Sequence, residues 1–313
     1  MENEKNIEEK DAERERLIGR AREYIAQRRI SQAKMAGLVG IKDSTFSRWL
    51  NNDYPNPENI DIKVLELLEK EEAREKLTET DVNDFAKTQI SMTIWGLLDY
   101  IRKRRAVSMI YGDSGVGKTK AVVEWAKDKS DVILLTARPT LSTTKEVMKS
   151  LAEELKTKTT GTQGDIARGV IKKLKGTDKM IIIDEAQQLT IKAIDELRSL
   201  NDDTETRTTI VLVGNHPLYE KINKKEEDEL VLLKNRMSVP LEVTTKQVTL
   251  EDIKKIFTTN DEEVLDILHK VSRTEQGIRG AVEIYTDAVH HVGGKSIDKK
   301  MLLTFVKNKK VKI

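Results

Sequence analysis

The stretch Met109–Ala126, MIYGDSGVGKTKAVVEWA, decides the fold. Gly112 is followed five positions later by Gly117, then Lys118 and Thr119, the spacing G-x-x-x-x-G-K-T. An apolar run leads in and a helical pattern leads out, the strand–loop–helix context that a phosphate-binding loop requires. In such a loop the backbone of Gly112, Asp113, Ser114, Gly115, Val116 and Gly117 wraps closely, turning amide N–H groups inward at phosphates, and the helix N-terminus adds its positive end. Lys118 would reach the β- and γ-phosphates, and the Thr119 hydroxyl would hold Mg²⁺. The alternative, a plain glycine turn, does not need the lysine and threonine.

Working outward, five short β-branched runs separated mostly by helical patterns predict a parallel sheet covered on both faces. They are AVSMIYG, DVILLTA, KMIIIDE, TTIVLVGN and SVPLEV. The third ends in Asp184 and Glu185, at the carboxyl end of a strand, where ligands of open α/β sheets bind. Asp184 is placed to hold Mg²⁺ directly or through water, and Glu185 to polarise an attacking water. A helix-capping acid pair is the alternative. The fourth run ends in Asn215, whose amide could position that water or could serve only as a turn former.

In front of the loop, Ile30–Asn52 reads ISQAKMAGLVGIKDSTFSRWLNN. Met35, Ala36 and Val39 share a helix face, Gly40 breaks the helix, and Ile41 packs back. Asp43 or Ser44 can cap a second helix that buries Phe46, Trp49 and Leu50. Two short helices about a glycine turn make a helix-turn-helix resembling the phage-repressor class. Its second helix would offer Lys42, Ser44, Thr45, Ser47 and Arg48 to DNA, with few base-reading side chains among them. A helical bundle that contacts protein is the alternative.

The organisation expected is a helical domain over residues 1–70, a charged linker over 71–90, an α/β core over 91–247 and a helical lid over 248–313. Hydrophobic residues make up 38% of the 313 and charged residues 35%, which describes a soluble chain with a heavily charged surface. No run approaches the roughly 20 apolar residues of a membrane span. The first sixteen residues lack the apolar core of a secretion signal, and the chain has no cysteine, so neither disulfides nor thiolate metal sites arise. A cytoplasmic protein is expected. The net charge of +2 does not by itself indicate nucleic acid. Two basic clusters, IRKRR at 101–105 and KKMLLTFVKNKKVKI at 299–313, are solvated faces or phosphate-contact surfaces. His290 and His291 carry no metal-ligand pattern.

The loop, the strand ending in Asp-Glu and the polar Asn215, in this order, resemble the AAA+ ATPases. That resemblance implies an arginine before the fifth strand that reaches a neighbouring subunit's nucleotide, which Arg236 matches, and a lid arginine that senses the γ-phosphate, which Arg279 matches. Helix-turn-helix, single AAA+ module and short lid together resemble the MuB-type target-capture ATPases of transposable phages. The similarity runs through Ser31–Tyr54, FAKTQISMTIW at 85–95, GDSGVGKT, IIIDEA, DELRSL and VLVGNHPLY. It implies that Phe85, Thr88 and Gln89 contact nucleotide. It also implies an ATP- and Mg²⁺-dependent, DNA-stimulated ATPase that coats double-stranded DNA without sequence preference as a helical homo-oligomeric filament and presents it to a transposase. A helicase loader or replication initiator, and a transcription regulator switched by ATP, remain as alternatives.

Overall fold

A computed structural model of the chain describes residues 2–28, 30–78, 82–223, 237–292 and 297–313. The chain divides into two compact units, Met1–Thr80 and Asp81–Ile313.

The first unit is helical: α1 (Glu2–Arg28), α2 (Gln32–Val39), α3 (Asp43–Leu50) and α4 (Glu58–Thr78). Ser31 caps α2 by accepting from the Lys34 N–H at 3.2 Å. Gly40 ends it in the left-handed region at φ 74°. Its N–H returns to the Gly37 carbonyl and that of Ile41 to the Ala36 carbonyl, closing the last turn as a Schellman motif. Met35, Ala36, Val39, Phe46, Trp49 and Leu50 are all buried, with Leu17, Ile18 and Ala21 of α1 and Ile60, Val64 and Leu68 of α4. Phe46 and Trp49 stack at 5.6 Å, and the Trp49 indole donates to Asp61 at 2.6 Å. The Arg22 guanidinium donates to the Leu50 carbonyl at the end of α3, where a cation suits the helix dipole. The expected capping of α3 by Asp43 or Ser44 is corrected. Lys42 occupies the cap position with no side-chain bond, and Asp43 lies in the first turn, where its charge faces the exposed N–H groups.

The second unit opens with α5 (Gln89–Arg104) and β1 (Val107–Gly112), followed by α6 (Lys118–Ala126), β2 (Val132–Thr136), α7 (Thr144–Glu154) and α8 (Gln163–Leu174). Then come β3 (Met180–Asp184), α9 (Ile191–Asp202), β4 (Thr209–Val213), α10 (His216–Asn223) and β5 (Leu241–Val243). It closes with α11 (Leu250–Ile256), α12 (Glu262–Ser272), α13 (Gly277–His291) and α14 (Lys299–Asn308). The sheet runs β2-β3-β4-β1-β5, and every pairing is parallel. Alternation sorts the strand side chains cleanly. Ile110, Met180, Ile182, Val211 and Val213 face one apolar cluster, and Met109, Ile181, Ile183, Ile210 and Leu212 face the other. That is why β1, β3 and β4 are buried at every position and largely apolar.

Three expectations about boundaries change. Helix α4 continues through the charged stretch to Thr78, because Glu, Ala, Arg and Lys are good helix formers whether or not they are buried. Residues 82–88, expected as linker, belong to the second unit: Asn83 bonds the Ile256 and Lys255 carbonyls at 2.8 and 2.7 Å. The fifth strand, expected over SVPLEV, is continuous only over Leu241–Val243, with one earlier bond from the Ser238 N–H to the Val107 carbonyl at 2.7 Å. Pro240 has no N–H for the ladder, and the Ser108 hydroxyl donates to the Val239 carbonyl instead. The C-terminal helices share one continuous apolar cluster with α5, α6 and a face of the sheet.

Candidate active site

The loop from Gly112 to Thr119 joins β1 to α6 at the carboxyl edge of the sheet. Gly112 is required by close approach: a Cβ there would sit 1.8 Å from the Val243 carbonyl oxygen of β5. The Asp113 N–H donates to that same carbonyl at 2.9 Å. Its carboxylate accepts from the Thr245 N–H at 2.7 Å, from the Thr245 hydroxyl at 3.1 Å and lies 2.9 Å from His216 Nε2. Burial pushes this carboxyl up, but the bonds from Thr245 and His216 outweigh it and hold it below the usual range.

A cleft of about 460 Å³ opens over the loop. It is lined by Ser114, Gly115, Gly117, Lys118 and Thr119 of the loop, by Asp184, Glu185 and Asn215 at strand ends, and by Arg279 of α13. Lys118 is 7% exposed. Its ammonium donates to the Gly112 and Asp113 carbonyls at 3.1 and 2.6 Å and to Asn215 Oδ1 at 3.0 Å. Burial drives its pKa down to about 8, against the opposing pull of Asp184 and Glu185. Because an ammonium only donates, the Asn215 oxygen must face it, leaving the amide nitrogen for another partner. The Thr119 hydroxyl donates to Asp184 Oδ2 at 2.8 Å, and the Glu185 N–H donates to Asp184 Oδ1 at 2.9 Å. Burial nevertheless raises the Asp184 pKa.

A buried carboxylate paired with a hydroxyl offers hard oxygen donors of the kind Mg²⁺ takes. Among the described residues no group of three or more His, Asp or Glu gathers at metal-binding distance. Thr119 and Asp184 therefore suit an ion that brings phosphate oxygens and water as its other ligands.

Beside the main cleft lies a smaller recess of about 70 Å³, lined by Phe85, Ala86, Thr88, Val116, Lys120, Ile256, Ile278 and Val282 among others. Phe85 stacks on Trp95 at 5.7 Å, while the Thr88 hydroxyl caps α5 by accepting from Ser91. Gln89 is not among the residues lining this recess; its backbone N–H donates to the buried Asp252 carboxylate at 2.7 Å. Arg279 is exposed at the start of α13, and its N–H donates to the Gly115 carbonyl at 3.1 Å. Arg236 lies outside the described residues.

In the first unit, Lys42, before α3, and Ser44 and Arg48 on it are exposed, while Thr45 and Ser47, flanking its buried face, are half-buried. Arg48 folds onto the following loop, 3.0 Å from the Asp53 carbonyl and over the Tyr54 ring. In the basic clusters, Arg102 pairs with Asp131, Arg105 with Asp178, and Lys309 with Asp287.

Three residues of the site were not read from the sequence. His216 and Thr245 brace Asp113, and Gln187 bonds the Glu185 carboxylate. Gln187 carried a signal, a polar residue two places beyond an Asp-Glu strand end. Thr245 carried none, because it lies 132 residues from its partner.

A family model described as AAA domain matches residues 101–222. The chain is 30% identical over 277 residues to Mu-like prophage FluMu DNA transposition protein B of Haemophilus influenzae, spanning 86% of this chain and 95% of that protein. It is 28% identical over 244 residues to ATP-dependent target DNA activator B of Escherichia phage Mu, spanning 77% of each. The RuvB Holliday junction branch migration motor of Thermotoga maritima superposes over 74% of this chain and 73% of its own, with a TM-score of 0.45 at 16% identity.

Proposed function

Because the chain belongs to the Mu-type transposition protein B family of AAA ATPases, we propose that it hydrolyses ATP to control its assembly on target DNA. In this reading it coats duplex DNA with little sequence preference, as a filament of its own copies, and delivers that DNA to a transposase, which stimulates release. The observation that carries the reading is the cleft itself, where Lys118, Thr119, Asp184, Glu185, Asn215 and Arg279 meet.

The chemistry follows from what each group is bound to. Lys118 exchanges two backbone carbonyls for the β- and γ-phosphate oxygens, which return the charge balance that burial denies it. The loop amides and the N-terminus of α6 take the remaining negative charge. Thr119 and Asp184 would hold Mg²⁺, which neutralises charge on the phosphate oxygens. Glu185, on the cleft wall, polarises the attacking water, and the Asn215 amide helps to place it. Arg279 senses the γ-phosphate from α13. Arg236 is the residue proposed to reach a neighbour's nucleotide. ATP then favours assembly because each site is completed by the next copy. Assembly multiplies weak phosphate contacts from Lys42, Arg48 and other surface cations, so affinity climbs with filament length.

Glu185→Gln tests this. The substitution keeps size and hydrogen-bonding reach but removes the carboxylate. With Lys118 and Asp184 intact, the variant should bind ATP, assemble on random duplex DNA and stay there. The measurement is its lifetime on DNA with ATP, before and after transposase is added. A lifetime no longer than that of the unaltered protein overturns hydrolysis-driven release.

A further inference from the structure

Behind the cleft, one side-chain amide joins the polar ends of β3 and β4. Gln187 lies in the 3₁₀ turn Ala186–Gln188, two residues beyond Glu185. Its Nε2 donates to Glu185 Oε2 at 2.5 Å, and its Oε1 accepts from the Asn215 backbone N–H at 3.3 Å. The two partners fix which way the amide points, since a carboxylate only accepts and a backbone N–H only donates. Glu185 lines the cleft, whereas Gln187 does not. The Glu185 carboxylate is thus held by a side chain that is not itself part of the cleft lining.

Two further observations show that this grip is built. Glu185 has φ 55°, in the left-handed region that a residue with a long side chain seldom enters, so its surroundings must hold it there. The turn is pinned by Lys221, whose ammonium donates to the Gln187 and Leu189 carbonyls at 2.5 and 2.7 Å. Residue 214 is glycine where the Gln187 side chain passes: a Cβ there would lie 2.5 Å from Gln187 Oε1. Counting the Lys118 bond to Asn215, a continuous path runs from the loop ammonium through Asn215 and Gln187 to the Glu185 carboxylate.

We propose that Gln187 is a positioning residue: it aims the Glu185 carboxylate into the cleft and ties that aim to Asn215, so that a γ-phosphate drawing on Lys118 and Asn215 is registered at Glu185. This rests on the reading of Glu185 as the group that polarises water.

The test is steady-state ATP hydrolysis by the full chain with duplex DNA. Gln187→Ala should lower kcat by roughly ten- to a hundredfold and leave the KM for ATP within about twofold, because misaiming a catalytic group by an ångström costs rate rather than binding. Gln187→Glu keeps an acceptor for Asn215 but loses the donor to Glu185, and should fail in the same way. The Glu185→Gln, Gln187→Ala double variant should be no slower than Glu185→Gln alone. Wild-type kcat in Gln187→Ala, alongside a dead Glu185→Gln, overturns the positioning role and leaves the reading of Glu185 standing. Near-normal turnover in Glu185→Gln overturns that reading itself. Losses that simply add in the double variant, or a KM that rises in step with falling thermal stability, reduce Gln187 to a support of the fold.

Discussion

Lys118 is a cation held among backbone carbonyls, and its titration has two consequences of opposite sign. Burial brings its pKa from the ordinary 10.5 down to about 8 in the folded chain. Between these values the unfolded chain binds a proton that the folded chain does not, so this group's contribution to stability rises with pH through that window. Below about 8 the ammonium is charged in both states and its burial cost is carried in full. Nucleotide reverses the preference, because phosphate needs the charged form. ATP affinity should therefore fall above pH 8, by at most about tenfold per pH unit. Thermal midpoints without ligand and ATP dissociation constants, both measured from pH 7 to 10, check the pair of trends. Lys118→Ala should flatten the first and abolish ATP binding, and with it ATP-dependent assembly on DNA. At this scale the loop residues, Asp184, Glu185 and Asn215 were legible, because each sits at a fixed offset from a strand end. What the sequence did not carry is the Gln89 backbone bond to Asp252, across 163 residues of chain.

The elements are joined to one another by capping groups that serve twice. Asp252 caps α11 through the Thr249 N–H at 3.1 Å and accepts from the Gln89 N–H at the start of α5 at 2.7 Å. It is 2% exposed, so its oxygens depend on these donors rather than on water. Asp252→Ala should cost about 1 kcal/mol for the lost cap. Loss of the part-buried bond from the Gln89 N–H adds about 0.5–1.5 kcal/mol. Denaturant titration reads the sum, and Asp252→Asn, which keeps an acceptor, should recover part of it. A smaller loss than the cap alone would mean that α5 and α11 are held by packing only. In the first unit the break between α2 and α3 was legible because Gly40 interrupts two apolar patterns of helical spacing, whereas the Ser31 cap of α2 was not read. The shortening of β5 was in principle legible from Pro240, whereas the extension of α4 was hidden by its charge, which says nothing about whether a backbone is helical.

At the scale of the molecule, the proposed function depends on many weak contacts rather than one strong one. DNA affinity should fall steeply with salt and hardly vary with sequence, since phosphates rather than bases are held. A log-affinity against log-salt slope near zero, or competition by one sequence alone, would contradict this. Ion pairs already occupy Arg102, Arg105 and Lys309, so charge reversal at these positions should affect folding stability as much as DNA binding. Arg236→Ala should leave ATP binding unchanged and lower hydrolysis by on the order of 10³, as loss of an arginine supplied across an interface does in other phosphoryl-transfer systems. Normal turnover would place the arginine elsewhere.

The sequence by itself determined the α/β class, the parallel sheet, the loop and the strand-end acids. These depend on local order: strand periodicity, glycine spacing and the residue that follows an apolar run. Only the tertiary structure decided which distant groups close the site. Asp113 finds Thr245, and Lys118 finds Asn215, across 132 and 97 residues of chain. It also decided that the C-terminal helices share the core of the sheet, because an amphipathic helix records that one face is buried but not against what. The Gln187 bridge lies between these cases. Its bond to Glu185 spans two residues, but its bond to Asn215 exists only because β3 and β4 are neighbours in the sheet.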